Sequence, residues 1–152
     1  MRYWLMKTEP EVFSIQDLKK MKTNHWDGVR NYQARNFMRD QMKMGDLILF
    51  YHSNATPPGI AGLAKVSKEA YPDFTAWDKK SEYFDPKASK EKPTWMMVDV
   101  QFVEEFKQLI PLESLRMNPQ LKDMLVIKKG MRLSIQPVSQ THFNAVLIMA
   151  SL

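Results

Sequence analysis

Apolar positions along the chain recur with two periods, and the change from one period to the other marks out the elements. Arg2 to Lys7 (RYWLMK) is a short aromatic run stopped by Glu9-Pro10, which predicts a strand whose last residues, Lys7, Thr8 and Glu9, emerge at a sheet edge. Ile15, Leu18 and Met21 fall at helical spacing behind Ser14 and Asp17, a capping-box pair, and predict a helix from Ile15 to Met21. Asn31 to Gln41 also fits a surface helix, with Tyr32 and Phe37 on its buried side. Leu47 to His52 (LILFYH) is apolar on both faces and reads as a central buried strand, with Leu47, Leu49 and Tyr51 pointing one way and Ile48, Phe50 and His52 the other. It runs out into the turn-rich Ser53 to Pro58. Gly59 to Val66 returns as a strand whose glycines at 59 and 62 imply a bulge, or the close approach of another backbone or a ligand.

Ala70 to Asp85 has aromatic residues without a period and predicts a long loop over the sheet, made basic at its far end by lysines that include Lys79 and Lys80. Thr94 to Phe106 alternates over the longest stretch, Met96, Val98, Val100 and Phe102 against Trp95, Met97, Asp99 and Gln101. Trp95 begins that strand on the face opposite the apolar row, where it could line a cavity or cap the end of a barrel. Pro111 to Met117 and Pro119 to Met124 read as short helical turns opened by proline, Gly130 to Gln136 as a strand, and Ser139 as the cap of a last helix buried through Phe143, Val146, Leu147 and Ala150. The sum is an α+β fold on a small curved or closed β-barrel with flanking short helices. A doubly wound parallel fold lacks the long helical crossovers it needs between Leu47 and Val66. Without repeats or a boundary, residues 1–152 read as one domain.

Composition restricts chemistry more than fold. The absence of cysteine excludes disulfides, thiolate zinc sites and cysteine nucleophiles, and His25, His52 and His142 lack metal-ligand spacing, so no metal or cofactor is expected. Neither GxGxxG nor a P-loop occurs. No apolar run approaches the ~20 residues that span a bilayer, and Lys7 and Glu9 interrupt any secretory signal, so a cytoplasmic or otherwise intracellular protein is expected, with no membrane partner. The net charge of +5 and pI of about 9.4 favour a phosphate-bearing partner.

The densest chemistry lies in WDGVRNYQARN, Trp26 to Asn36. One indole, one phenol, two guanidiniums, two carboxamides and a carboxylate are what a nucleobase site needs: ring faces to stack on, forked groups for the base edge, and positive charge for phosphate. Trp26, Tyr32, Tyr51 and Trp95 can supply rings, Asn31, Asn36, Ser53 and Asn54 edge hydrogen bonds, and Arg30, Arg35 and Arg39 phosphate contacts. An ordinary surface helix accounts for the same segment from Asn31 onward.

The segments YWLMKTEP (3–10), WDGVRNYQARN (26–36), GDLILFYHSN (45–54), PPGIAGLAKV (57–66), AYPD (70–73), YFDPK (83–87), PTWMMVDV (93–100) and RLSIQPV (132–138) together resemble the EVE domain, a PUA-like family related to the YTH readers of methylated RNA. The resemblance implies a PUA-like barrel and a non-catalytic module that reads a modified cytosine or adenine in RNA or single-stranded DNA. By the same resemblance the base pocket would take Lys7 and Glu9 from the first strand, Trp26, Val29, Asn31 and Tyr32 from the central segment, His52, Ser53 and Asn54 after the buried strand, and Trp95. Arg30, Arg35, Arg39, Lys79 and Lys80 would meet phosphates, with Arg30 and Arg35 alternatively pinning loops. Two other readings stand beside this one. An enzyme acting on a modified nucleotide would need an acid or base, for which Glu9 and His52 are the candidates; a protein-interaction adaptor would leave the positive charge incidental.

Overall fold

The structure, a computed structural model, describes residues 1–152. Six strands and four short helices follow one another as β1 (Tyr3–Thr8), α1 (Ile15–Met21), β2 (Thr23–Trp26), α2 (Tyr32–Asp40), β3 (Leu47–His52), β4 (Gly59–Pro72), β5 (Met96–Pro111), α3 (Leu112–Met117), β6 (Ile135–Val138) and α4 (Gln140–Ala150). The strands form one mixed sheet in the order β2-β5-β4-β3-β1-β6, in which β1 and β3 are parallel and the other pairs antiparallel. β2 and β6 are edges that do not pair with each other, so the sheet is open and the closed form of the expected barrel is not made. Curvature comes instead from register shifts, one between β3 and β4 and four between β4 and β5, each of which bends and twists the ladder.

Both faces of the sheet are covered, which is why β3 is apolar on both. Trp4, Met6, Ile48 and Phe50 enter one core with Ile15 and Leu18 of α1 and Ala34 and Met38 of α2. Leu5, Leu49 and Tyr51 enter the other with Phe106 and Ile110 of β5, Leu115 of α3 and Phe143 and Val146 of α4. The glycines of β4 answer to backbone proximity. A Cβ at Gly59 would lie 2.1 Å from the Ile110 carbonyl oxygen and one at Gly62 2.3 Å from that of Glu104, next to a register shift.

Four strands differ from the pattern reading. β2 is a four-residue edge strand, too short and polar to show alternation, that exists because β5 offers it a partner. β4 and β5 run on to Pro72 and Pro111, beyond the apolar rows, through residues that are exposed or half-buried apart from Ile110. β6 begins only at Ile135 and contains Pro137, which is tolerated because an edge strand pairs on one side alone. Residues 130–134 are irregular and reach the site described next.

Candidate functional site

β1 and β3 run out together, Thr8 opposite His52, and beyond their ends the chain opens a cleft of about 1020 Å³. Lys7, Thr8 and Glu9 form one wall, Asn24 to Arg30 another, and Ser53 and Asn54, Glu82 and Tyr83, and Met131, Arg132 and Ser134 complete it. The Asn54 amide donates a short hydrogen bond to the Glu9 carboxylate and ties the two strand exits together. Lys7 is half-buried; its ammonium donates to the Met131 carbonyl at 3.3 Å, and burial lowers its pKa.

Trp26, only 7% exposed, is core as much as site. Its ring meets Phe13 and Phe50 edge-on, with centroids 6.2 and 5.6 Å away. No buried side-chain nitrogen or oxygen lacks a partner, so the Trp26 indole N–H, which bonds to nothing in the protein, reaches open space in the cleft. Gly28 follows at φ +80°, and the Tyr83 ring lies so close that a Cβ there would come within 2.7 Å of it. Between them Asp27 is half-buried, 3.7 Å from the His25 imidazole, and burial raises its pKa.

The arginines of the segment are engaged within the protein. Arg30 donates to the carbonyl oxygens of Tyr83 and Val29, to the Asp73 carboxylate at 3.0 Å and to the Thr75 hydroxyl at 3.3 Å. Asp73 is fully buried; burial pushes its carboxyl up, but hydrogen bonds from Thr75, the Gly28 N–H and Arg30 outweigh that and hold its pKa below the ordinary value. Arg35 donates to Asn36 and to the Thr94 carbonyl, and its guanidinium lies 4.9 Å from the Tyr32 ring centre.

Of the residues that the sequence suggested, Lys7, Glu9, Trp26, Val29, Arg30, Ser53 and Asn54 line the cleft, whereas Asn31, Tyr32, His52 and Trp95 do not. Asn31 caps α2, its side chain accepting from the Ala34 N–H at 3.0 Å. Tyr32 stacks outside on Trp95, whose indole N–H donates to Asp85. The alternation of β3 sends His52 inward with Phe50, where its Nε2 accepts the Ile15 N–H at 3.1 Å and burial lowers its pKa. Arg39 is exposed and paired with Asp40 at 2.8 Å, and Lys79 and Lys80 are exposed beside the Glu82–Tyr83 wall. His25, Asp27, Tyr83 and the stretch Met131 to Ser134 are cleft residues that sequence reasoning missed. Asp27, Tyr83, Arg132 and Ser134 lay inside segments quoted for the resemblance, but nothing in those segments marked them as cleft residues.

Residues 2–149 match the family model of the EVE domain. The chain belongs to the EVE domain family. Among EVE proteins it is 49% identical to human thymocyte nuclear protein 1 over 95% of this chain and 72% of that one. Its fold overlays the crystal structure of human THYN1 protein in complex with 5-methylcytosine-containing DNA at a TM-score of 0.92 and 47% identity, covering 100% of this chain and 99% of the other. A hypothetical protein from Leishmania major is similar at a TM-score of 0.95 and 53% identity, over 99% of this chain and 95% of that one. In this EVE domain the motif Trp26 to Asn36 divides at Arg30: residues before it line the cleft, Arg30, Tyr32 and Arg35 brace the loop between β4 and β5, and Asn31 caps α2.

Proposed function

We propose that this EVE domain reads a modified base of the 5-methylcytosine class in DNA and binds it without chemical change. The observation that carries the reading is the overlay, along the whole chain, with a relative that holds 5-methylcytosine-containing DNA. The cleft at the β1 and β3 ends supports it, being large enough for an extruded nucleotide and walled by Phe13, Trp26 and Tyr83. Lys7, Glu9, Ser53 and Asn54 supply polar groups for the base and sugar. Phosphates meet Arg132 on the cleft wall and the exposed Lys79, Lys80, Lys128 and Lys129, while Arg30 and Arg35, already engaged, hold the loop. His52, Tyr32, Asn31 and Trp95 act behind the site by fixing its walls.

The test is a titration, followed by tryptophan fluorescence or calorimetry, with DNA and RNA oligonucleotides that differ in a single methyl group. A methyl seated in an apolar slot contributes about 0.8 kcal/mol, or about fourfold in affinity. A preference of that size in DNA, with the oligonucleotide recovered at unchanged mass, is expected; a stronger preference in RNA reassigns the nucleic acid. Equal binding of all of them reduces the protein to a basic surface, and a converted product makes it an enzyme.

A further inference from the structure

Most carboxylates around the Trp26 segment are engaged within the protein or stand in open solvent. Asp73 accepts hydrogen bonds from the Gly28 and Thr75 N–H groups, from Arg30 and from the Thr75 hydroxyl. Asp85 accepts from Trp95, and Glu9 from Asn54. Glu82 stands exposed on the rim. Asp27 alone is half-buried in the cleft wall without a hydrogen bond from any other residue; its own backbone N–H and the His25 ring at 3.7 Å are its nearest polar neighbours, with the charges of Asp73 and Arg30 farther off. A carboxylate that opens into the cleft with no hydrogen bond from another residue is a place for a ligand's donor.

On the reading that the cleft takes a base, we propose that Asp27 selects its class: the carboxylate accepts the exocyclic amino hydrogen of a cytosine-type base and rejects the carbonyl that thymine carries at the same ring position. Cytosine presents an N4 amino donor, for which Asp and Glu are the matching acceptors. 5-Methylcytosine and thymine share the ring and its 5-methyl group, so a methyl slot alone cannot separate them. At position 4 they differ completely. The O4 lone pairs of thymine would face the Asp27 oxygens with no hydrogen between them. The cleft also offers donors for the acceptor side of cytosine, the free Trp26 indole N–H and the Lys7 ammonium.

The experiment compares three single-stranded oligodeoxynucleotides that are identical except for one cytosine, 5-methylcytosine or thymine. The wild-type protein should bind 5-methylcytosine over thymine by about tenfold or more, the range of a good base-edge contact. Asp27→Asn should bring the two within about twofold, because a carboxamide offers either a donor or an acceptor. Matched urea transitions of the two proteins check folding, and should the variant unfold, the wild-type comparison still decides. If the wild type does not distinguish 5-methylcytosine from cytosine, base reading itself fails. If it does, yet binds thymine equally well, or if Asp27→Asn keeps the wild-type ratio, only the assignment of Asp27 is overturned.

Discussion

Asp27 and Arg30 stand three residues apart, yet the carboxylate finds only a histidine ring at 3.7 Å while the guanidinium makes five hydrogen bonds, four of them to the loop between β4 and β5. The contrast extends along the segment. Before Arg30, polar groups are left open beside a packed indole; from Arg30 onward, Asn31, Tyr32 and Arg35 are occupied by a helix cap, a stack on Trp95 and the Thr94 carbonyl. A high density of planar polar side chains therefore serves two ends in one stretch, and only the unfilled ones are available to a ligand.

Substitutions can break this division, and their expected costs descend from core to rim. Trp26→Ala removes a buried indole and should destabilise the fold by about 3–5 kcal/mol in urea titrations, so its binding defect is interpretable only beside that of Trp26→Phe. A loss below about 1 kcal/mol would mean that Trp26 belongs to the cleft alone. Asp73→Ala strands Arg30 and should cost about 3 kcal/mol or more, although Asp73 does not itself line the cleft. Because the native pKa of Asp73 is depressed, its contribution is present above the unfolded carboxylate pKa and is lost as pH falls through the native one; Asp73→Asn should flatten that acid limb.

His52→Ala leaves the Ile15 N–H without its acceptor, a loss of about 1–3 kcal/mol. Burial lowers the native pKa of His52, so the unfolded chain takes up the proton first, and wild-type stability should fall as pH drops below about 6.5, a slope missing from the variant. Smallest of all, Tyr32→Ala should cost about 0.5–1.5 kcal/mol through its stack on Trp95 and leave oligonucleotide affinity unchanged. A large affinity loss there would move the binding surface to the outer side of the segment.

How much of this was legible in the chain depended on whether the signal was local. The β3 alternation, the Ser14 capping box and the Asn31 to Gln41 helix are each contained within a dozen residues and each forms, although the helix buries Ala34 and Met38 and leaves Tyr32, expected on its buried side, exposed. Lys7, Glu9, Ser53 and Asn54 meet at the cleft because parallel pairing brings two strand ends level, and Trp26 joins them from the edge strand β2 on β5, an assembly that the resemblance supplied and periodicity did not. Arg30 carried a guanidinium that suits phosphate or carboxylate equally, and its use was fixed by Asp73, 43 positions away. Tyr83 against Gly28, and Met131 against Lys7, depend on contacts of the same kind. The open sheet likewise turns on whether β2 meets β6, a question that neither strand's own residues answer.

The pairing of β1 has a consequence for the order of events during synthesis. Tyr3 finds one neighbour at Leu47 but the other at Val138, and the Lys7 N–H and ammonium are satisfied only by Ser134 and Met131. Chains emerge from the ribosome N-terminus first, so β1 waits with one side unpaired while most of the protein is made. The last wall of the cleft arrives with the segment that completes β1, and a nascent chain cannot have a finished site before it has a finished sheet.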